Sequence, residues 1–504
     1  MLTMFSDFFS SSFLLPSTFI LVIFIISVWF LSPTTKIQKN PLPSPSRLPI
    51  IGNLHQLGAN PHRSLQALSN KHGPLMLLHF GRVPVLIVSS ADASREIMKT
   101  HDAIFSNRPT SSVRNKLIYN AVDIAFANYG KQWRQNKSTV VTKLVSPKKV
   151  ESFRQMREEE TDLLVEKIKE MSCSSSPVIN MNSLVLSIIN GIICRTSLGK
   201  KYEGASSKEL FANFIELMGV FSIGDYIPWL SFVDWLHGYE ARAVKISKQL
   251  DKFLENVIEE HLAQKTEKSE EDKDYVDLLL QIQNDGDDKF TLSRDAIKAI
   301  ILDVFVGGTD TTYATMVWEF TELLKNPRVM KKLQEEVRQV AKGKTKITED
   351  DLDKMIYLKA VVKETIRMHP SAPLLAPRVC TQDVKVMGYD IEVGTQVFIN
   401  QWAISRDPSI FDNPDEFRPE RFLDSPIDYK GHHFELAAFG SGRRMCPGIQ
   451  FAMILNDLVL ANLVHQFDFV LPDGQKGEDM DISETVGLAV HRRVPLDVLA
   501  ISKV

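Results

Sequence analysis

The chain has 504 residues, of which 44% are hydrophobic and 24% are charged, and its formal net charge is −3. This composition supplies ample material for a large core and is typical of globular proteins. The balanced charge, without a basic stripe interleaved with aromatic residues, excludes a nucleic-acid-binding function. Four cysteines without regular spacing exclude a disulfide framework and a zinc site, and they indicate a reducing compartment such as the cytoplasm.

An uncharged, apolar segment lies near the start of the chain. No side chain between Asp7 and Lys36 is charged, and residues 13–31 are almost wholly apolar. Because about 20 helical residues cross a bilayer core, we predict an N-terminal membrane anchor over residues 1–35, with its span at residues 13–31. A cleaved signal peptide is the alternative, but the sequence has neither the basic residues before such a peptide nor a small-residue cleavage site after it.

The residues after the anchor predict how the body is attached. Prolines recur between Pro41 and Pro49, and each fixes φ and keeps its preceding residue out of a helix, which predicts an extended hinge over residues 36–52. Lys36 and Lys39 follow the anchor and no basic residue precedes it, so the body is expected on the cytoplasmic side.

Residues 53–504 carry no repeat and no low-complexity linker, which predicts one large catalytic domain. Periodic apolar positions bounded by capping residues, glycine or proline predict a mainly α-helical domain with small β-sheets. The predicted helices include residues 91–100, 148–171, 240–267, 294–325, 327–340 and 352–369, and the predicted strands include residues 84–88 and 397–399.

One of these helices contains an unusual run. Residues 307–312 read Gly-Gly-Thr-Asp-Thr-Thr, and each glycine inside a helix costs about 1 kcal/mol relative to alanine. The run predicts a local opening of the helix, in which the Thr311 hydroxyl bonds back to the Gly307 carbonyl. The alternative is a glycine pair at a close helix crossing.

The most informative segment lies at residues 439–448, Phe-Gly-Ser-Gly-Arg-Arg-Met-Cys-Pro-Gly. Its glycines allow a tight turn close to a flat ligand, and the apolar run at residues 449–467 predicts a helix that opens at Pro447 and directs its N-terminus at the sulfur. That helix end, Arg443 and Arg444 favour the thiolate form of Cys446, which is the form that binds metal.

We therefore predict that Cys446 is a haem-iron ligand. The alternative is that this cysteine is a small buried hydrophobic residue. We adopt that alternative for the other three cysteines, Cys173, Cys194 and Cys380.

These segments resemble the cytochrome P-450 superfamily. Its haem-loop pattern, Phe-x-x-Gly-x-Arg-x-Cys-x-Gly, is met in full by Phe439, Gly442, Arg444, Cys446 and Gly448. Its distal-helix pattern, Ala/Gly-Gly-x-Asp/Glu-Thr-Thr/Ser, is filled as well. The stretches at residues 421–431 and 447–452 are most similar to the plant family numbered 71 of this superfamily.

The resemblance implies the cytochrome P-450 fold and haem b with an axial Cys446 thiolate. It implies that Asp310 and Thr311 feed protons to bound dioxygen. Glu364 and Arg367 lie three residues apart on one helix, a pair that alone is common on solvated helices. By resemblance Arg421 joins them in a structural cluster.

The resemblance also implies which residues contact haem. Phe439 and Gly442 belong to the haem loop, and four side chains are expected near the propionates: Arg444, Trp133, Lys137 and Arg378. Lys137 stands where relatives usually have arginine, which exchanges a bidentate fork for a point charge.

By resemblance, the protein is a monooxygenase of the endoplasmic reticulum membrane, single-pass, with a cytoplasmic catalytic domain. It would oxidise a small, mostly apolar plant specialised metabolite, with terpenoids and indole alkaloids favoured. Its partners would be O2, membrane lipid and NADPH–cytochrome P-450 reductase. A haem-thiolate isomerase or dehydratase is one alternative, against which Asp310 and Thr311 argue, and a non-enzymatic haem-binding membrane protein is the other.

Substrate contacts are nominated by resemblance alone, in residues 108–126, 211–235, 301–305, 372–376 and 485–489. The second range carries four large aromatic residues, Phe221, Trp229, Phe232 and Trp235. These aromatic side chains are expected either to line a substrate channel or to form a surface that dips into the membrane.

Overall fold

The computed structural model describes residues 18, 20–24, 40–175, 177–202, 204–264, 268–285 and 292–503. Within these ranges the fold is mainly α-helical with small β-sheets, which confirms the predicted fold class. The largest apolar core lies among the helices, and two smaller cores lie beside the first sheet. The body therefore divides into a large helical part and a smaller part around that sheet.

The helices of the first half are α1 Pro61–His72, α2 Ala91–Arg95, α3 Ser112–Leu117, α4 Lys131–Thr139, α5 Pro147–Ser152, α6 Arg154–Ser172, α7 Met181–Leu198, α8 Ala205–Met218, α9 Ile223–Tyr226, α10 Ser231–Leu236 and α11 Tyr239–Ala263. Those of the second half are α12 Tyr275–Asn284, α13 Arg294–Lys325, α14 Pro327–Ala341, α15 Glu349–Leu352, α16 Ile356–Met368, α17 Gln401–Ile404 and α18 Ile449–Gln466. Wider π turns extend α2 over Glu96–Thr100 and α4 over Val140–Leu144.

The strands are β1 Leu75–Phe80, β2 Val83–Val88, β3 Val178–Asn180, β4 Arg378–Val379, β5 Val384–Val386, β6 Tyr389–Ile391, β7 Gln396–Ile399, β8 Phe467–Val470, β9 Glu484–Val486, β10 Val490–Arg492 and β11 Asp497–Ser502. They form a four-stranded sheet of order β1-β2-β7-β4, a three-stranded sheet of order β3-β11-β8, and the hairpins β5-β6 and β9-β10. In the first sheet β2 and β7 are parallel, with Val85 opposite Gln396, and the other pairs are antiparallel.

Helix α13 is the centre of the helical core. The Ser293 hydroxyl caps its N-terminus by accepting the Ala296 N–H at 3.1 Å. The helix ends at Lys325, two residues before Pro327, because proline cannot continue the hydrogen-bond ladder. Its bounds are those predicted from the sequence, and most of its side chains are buried.

The predicted opening of α13 is wrong, although the hydrogen bond behind it exists. Thr311 Oγ1 donates to Gly307 O at 2.6 Å, yet the helix continues unbroken, since a carbonyl oxygen has two lone pairs and can accept twice. The alternative prediction, a glycine at a close helix crossing, is confirmed for Gly308. A Cβ at Gly308 would lie 2.6 Å from Ile193 Cδ1, so α7 packs closely against α13 at this point. A Cβ on Gly307 would meet nothing within 4 Å, so Gly307 faces open space.

Two predicted helices are divided in the structure. The one at residues 148–171 is interrupted at Phe153, between α5 and α6. The one at residues 352–369 begins later, at Ile356, because Thr348 and Asp351 form a capping box that starts the separate helix α15. These differences concern helix ends and leave the order of the elements as predicted.

The predicted membrane span, residues 13–31, lies mostly outside the described residues; residues 20–24 are helical and exposed. Within the predicted hinge, residues 40–47 form neither helix nor strand, and residues 36–39 lie outside the described ranges. Among the described helices, α7 is long and apolar enough to cross a membrane, but 67% of it is buried, as expected of a core helix. Residues 206–226 and 228–236 pass the same test only as a pair bent by 119°.

Cys194 and Cys380 are buried, as predicted, whereas Cys173 is exposed. The prediction for Cys173 is wrong because this residue follows the last turn of α6 and precedes exposed serines at residues 174–175. Its side chain is therefore outside the core.

Candidate active site

The loop before α18 is shaped by two glycines in the left-handed region. Gly440 has φ 70° and Gly442 has φ 68°, which other residues adopt only at a cost. A Cβ at Gly442 would also clash with the carbonyl oxygen of Met98. The loop closes where the Cys446 N–H donates to the Phe439 carbonyl at 3.0 Å, so Phe439 and the thiol are held together.

The Cys446 side chain faces an enclosed space. It is exposed, yet enough protein surrounds it that burial raises the pKa of its thiol. The Gly448 N–H, which precedes α18, and the Lys137 ammonium act in the opposite direction and lower that pKa. The thiol is therefore accessible although protein surrounds it, and it has a hydrogen-bond donor and a cation beside it.

The expectation that Arg443 and Arg444 act on the sulfur is wrong. Arg443 turns outward and pairs with Asp102 at 2.9 Å. Arg444 points into the protein, where its guanidinium stacks over the Trp133 ring at 4.3 Å. Consecutive residues of a tight turn direct their side chains apart, and Lys137 on α4 takes the position near the thiol.

Four cations converge beside this loop: the buried Arg108, Arg378 and Arg444, and the half-buried Lys137. Burial lowers the pKa of all four side chains, and repulsion from neighbouring cations lowers it further for Arg108, Lys137 and Arg444. The sequence did not single out Arg108 as part of this set, since an isolated arginine in a loop gives no local signal.

The hydrogen-bond partners of these cations are mainly neutral. Arg108 donates to three carbonyl oxygens, those of Ala125, Ala376 and Pro377, at 2.7–2.9 Å. Arg444 likewise donates to the carbonyl oxygens of Ser106, Ile124 and Ala127. Lys137 Nζ donates to Met445 O at 2.7 Å. Arg378 has an acidic neighbour, Asp102, at 3.6 Å.

The positive charge of this cluster is thus only partly compensated, and burying cations without counter-charges is costly. A ligand with carboxylate groups would supply the missing charge. Haem b has two propionates, a flat ring that suits the glycine turns and an iron that suits a thiolate. The residues at this site therefore fit haem b. Trp133 contributes its buried ring, and its Nε1 donates to Ile124 O at 2.9 Å.

The opposite wall of the site comes from α13. Gly307 is exposed and Thr311 half-exposed, although they lie in the middle of a core helix, so this face of α13 borders open space. Lys137 interacts electrostatically with both the Cys446 loop and α13. The negative groups that act to raise its pKa are Cys446 and Asp303 of α13.

Asp310 and Thr311 face different directions. The Asp310 carboxylate accepts the Ala489 N–H at 3.1 Å and lies 3.1 Å from His491 Nε2. The Thr311 hydroxyl is bonded to Gly307 O. Among the described residues, no hydrogen bond joins the Asp310 and Thr311 side chains. Neighbouring helical residues are separated by about 100° around the axis, which explains the divergence.

A carboxyl pair that the sequence did not reveal lies beside the cation cluster. Asp303 Oδ2 accepts the N–H groups of Ile124 and Ala125 at 2.6 and 3.3 Å. Asp123 Oδ1 is buried without a hydrogen-bond partner in the described part of the chain. Burial raises the pKa of both carboxyl groups, and the charge of Asp123 raises that of Asp303 further. A proton shared by the pair would remove this repulsion.

The structure brings Glu364, Arg367 and Arg421 together. Arg367 donates to both Glu364 oxygens at 2.7 and 2.9 Å, and Arg421 Nε donates to Glu364 Oε1 at 3.0 Å. Glu364 and Arg367 are fully buried. Arg367 also donates to the Ser405 carbonyl at 2.8 Å, so the cluster ties α16 to the segments after α17.

Three of the segments nominated for substrate contact line one cavity of about 820 Å³, through Phe211, Phe305, Gly487 and Leu488. A separate cavity of about 340 Å³ is lined by the segment around Arg108 and Phe126. The four aromatic residues of the second segment are exposed, Trp235 by 72%. Their exposure favours the surface alternative over the channel.

Residues 42–495 match the family model of cytochrome P-450. The chain is 52% identical to cytochrome P-450 736A117 of Prunus mume, with 97% of both chains covered. It is 49% identical to psoralen synthase of Ammi majus and 48% identical to norfluorocurarine oxidase of Strychnos sp, with 96% and 95% of both chains covered, respectively.

A solved structure of a zebrafish cytochrome P-450 with progesterone superposes with a TM-score of 0.75 at 24% identity, covering 88% of this chain and 99% of the other. The common fold, the family match and the near-complete similarity to plant relatives agree. The chain therefore belongs to the cytochrome P-450 family, as a monooxygenase that carries haem b with a cysteine thiolate as axial ligand.

Proposed function

We propose that this monooxygenase oxidises a small, mostly apolar plant specialised metabolite, a terpenoid or an indole alkaloid, with electrons that pass from NADPH through cytochrome P-450 reductase. The observation that carries the proposal is the Cys446 thiol, which is exposed yet surrounded by protein, beside Lys137 and a cluster of three buried arginines, Arg108, Arg378 and Arg444. The names of two plant relatives, psoralen synthase and norfluorocurarine oxidase, support a plant metabolite as the molecule that is oxidised.

In this proposal Cys446 is the axial ligand, and Phe439 and Gly442 shape the loop that holds it. Arg444 and Arg378, with Trp133 and Lys137 from α4, hold the propionate side; Arg108 joins them. Haem on a thiolate supplies the chemistry that activates dioxygen and oxidises C–H bonds. The cluster of Glu364, Arg367 and Arg421 is structural, since it is buried and remote in sequence from both walls of the site.

Asp310 and Thr311 manage protons in the proposed reaction. The Thr311 hydroxyl, half-exposed and bonded to Gly307 O, is positioned to orient water beside the site. Asp310 is positioned to exchange protons with solvent, because it is one of the residues that line the 820 Å³ cavity. Activation of dioxygen consumes protons, which an isomerase or dehydratase would not need.

We further propose that the protein is a single-pass protein of the endoplasmic reticulum membrane with its catalytic domain in the cytoplasm. The uncharged apolar segment at residues 13–31 supports a membrane anchor, and Lys36 and Lys39 after this segment support the orientation. The domain boundaries proposed for this arrangement are 1–35 for the anchor, 36–52 for the hinge and 53–504 for the catalytic domain.

Turnover with purified reductase tests the function. Microsomes containing the protein are screened with terpenoids and indole alkaloids for substrate-induced spectral shifts. Each compound that gives a shift is then incubated with the protein and reductase, in the presence or absence of NADPH. We expect a product that contains oxygen from O2 and that appears only when NADPH is present. Product formation without any electron donor would support the isomerase alternative, and binding without conversion in either case would support a non-enzymatic function.

A further inference from the structure

The Asp310 carboxylate is held by a hairpin that the sequence motifs do not include. His491 on β10 lies with Nε2 3.1 Å from Asp310 Oδ1, and the Ala489 N–H donates to Asp310 Oδ2 at 3.1 Å. Trp318 Nε1 of the same helix donates to Val490 O at 3.1 Å, which fixes the hairpin against α13. Asp310 therefore has a defined orientation toward His491.

The 820 Å³ cavity connects this pair with the outer surface. Its lining includes Lys208 and Glu209 of α8, which are exposed, and it reaches Thr309 and Asp310, which are buried in the helical core. His491 lies at the buried end of the same lining. Water that fills the cavity would thus reach the His491–Asp310 pair without crossing apolar packing.

Polar groups surround the buried end of the cavity. Tyr313 of α13 has its ring 5.3 Å from that of His491, and its hydroxyl accepts a hydrogen bond from Asn182 at 2.7 Å. The charged side chains that line the cavity, apart from the pair itself, are Glu160, Lys167, Lys201, Lys208, Glu209 and Glu216. Charged side chains of both signs are present in a lining that is otherwise mostly apolar, and these side chains offer hydrogen-bonding groups to water that enters the cavity.

We propose that His491 is the positioning residue that holds Asp310 toward this cavity and supplies it with protons from solvent. The inference rests on the proposed function, because it identifies the source of the protons that Asp310 and Thr311 deliver. In this inference the hairpin β9-β10 forms the outer part of the proton path, between solvent and Asp310.

The proton step is balanced within the pair and solvent. The imidazolium Nε2 gives its proton to Asp310 Oδ1, and the neutral ring then takes a proton from water at Nδ1. His491 Nδ1 is buried and has no hydrogen-bond partner among the described residues, so a water molecule from the cavity would be the partner that this step requires. Histidine takes both protonation states near neutral pH, which this step requires.

Three variants of the full-length holoenzyme separate a proton path from a structural contact. His491→Gln keeps an amide donor for Asp310 but does not titrate, and His491→Phe removes the donor as well. His72→Gln, at the end of α1 and remote from the cavity, is the matched control. The carbon monoxide difference spectrum of each variant first establishes that haem is bound through thiolate.

The measurements use NADPH, reductase and dioxygen without added substrate. Two quantities are followed: the share of NADPH electrons recovered as hydrogen peroxide rather than water, and the solvent deuterium isotope effect on NADPH oxidation. For both His491 variants we expect the peroxide share and the isotope effect to rise at least two-fold, because peroxide is released when protons do not reach the oxygen site in time. The His72 control should match the wild-type protein.

A His491→Gln variant with wild-type values for both quantities would overturn the proposal, and a defect confined to His491→Phe would identify a structural contact. If the wild-type protein itself does not oxidise NADPH with reductase, the proposed function fails first, and that result is distinct from either outcome.

A measurement independent of turnover tests the contact itself. In protein labelled at histidine Cε1, the His491 signal is assigned by its loss in His491→Gln, and its chemical shift is compared by NMR between the wild-type protein and Asp310→Asn. Removing the carboxylate that lies 3.1 Å from Nε2 should move this signal. An unchanged chemical shift would contradict the pairing.

Discussion

The electrostatic environment of the Cys446 thiol comes from the start of α18 and from α4, and not from the arginines of its own loop. The Gly448 N–H and Lys137 lower the pKa of the thiol against the effect of burial. Arg444, two residues from the cysteine, instead stacks on Trp133 and donates to backbone carbonyls on the opposite side. At the residue scale, the turn positions the sulfur and α4 supplies the nearby cation.

The first prediction concerns the glycine at the centre of that turn. Gly442→Ala is expected to destabilise the loop for two reasons, its φ of 68° and the clash of the new Cβ with Met98 O. Gly474→Ala is the matched control, because Gly474 has φ 69° and nothing within 4 Å of its Cβ position.

Strain of this φ alone costs about 1–3 kcal/mol, so both variants should lose thermal stability. We expect Gly442→Ala in addition to lose most of its haem, measured as the ratio of haem to protein after gel filtration. Equal haem content in the two variants would show that the contact with Met98 does not shape the site.

At the scale of elements, α13 meets three separate partners with consecutive parts of its length. Asp303 receives backbone N–H groups from the loop that contains Ile124. Gly308 allows α7 to approach closely at Ile193. Asp310 meets the hairpin β9-β10. One helix therefore fixes the positions of a loop, a second helix and a hairpin around the same site.

The second prediction concerns the Asp303–Asp123 pair. The ordinary pKa of an aspartate is 3.8, and burial holds that of Asp303 well above it. From about pH 4 upward, until the folded pair loses its proton, the folded state binds more protons than the unfolded state, so stability falls as pH rises. Lys137 and Arg444 are the cations that interact favourably with the negative charge of Asp303. Their attraction for the ionised carboxylate limits the loss of stability at higher pH.

Asp303→Asn can still accept the Ile124 N–H and can donate to Asp123, so it should retain haem and show a flatter dependence of the melting temperature on pH between 5 and 8. Asp303→Ala loses the anchor of the loop and should lose thermal stability at every pH. Parallel pH profiles for Asp303→Asn and the wild-type protein would contradict the shared proton.

The third prediction concerns the buried ion cluster on α16. Removing one partner of a buried ion pair costs about 3–5 kcal/mol, so Arg367→Met, which leaves Glu364 with Arg421 as its remaining ion-pair partner, should yield little folded holoprotein. Arg328→Met is the matched control, because Arg328 is 65% exposed in its 2.8 Å pair with Glu420 and ion pairs at the surface contribute about 0–1 kcal/mol. Similar yields of haem protein for both variants would contradict the structural role.

At the scale of the whole molecule, the sequence predicted the helical framework well where local signals suffice. The bounds of α13 follow from the Ser293 cap and from Pro327, and the Cys446 loop follows from its glycines. Local signals also fixed Arg367 relative to Glu364.

Contacts between distant parts of the chain were not predictable in the same way. Ile124 and Asp303 are separated by 179 positions, and His491 belongs to no motif near Asp310. The assignment of Arg443 and Arg444 to the sulfur failed because sequence proximity does not give side-chain direction in a turn. Such contacts depend on packing, which a single sequence does not reveal.

The fourth prediction concerns membrane attachment. Deleting residues 1–39 should move the protein from the membrane pellet to the soluble fraction, because the uncharged segment between Asp7 and Lys36 would then be absent. If the truncated protein remains in the pellet at high salt, the exposed aromatic residues are a second membrane contact. In that case Phe232→Ser with Trp235→Ser should release it.

The carbon monoxide difference spectrum tests the central claim, thiolate ligation of haem by Cys446, most directly. The reduced wild-type protein is expected to show the long-wavelength Soret band of a thiolate-ligated haem, and Cys446→Ser is expected to lack it. Cys380→Ser, at a buried cysteine away from the loop, should retain the band. A wild-type protein without this band, or a Cys446→Ser variant that keeps it, would contradict the account.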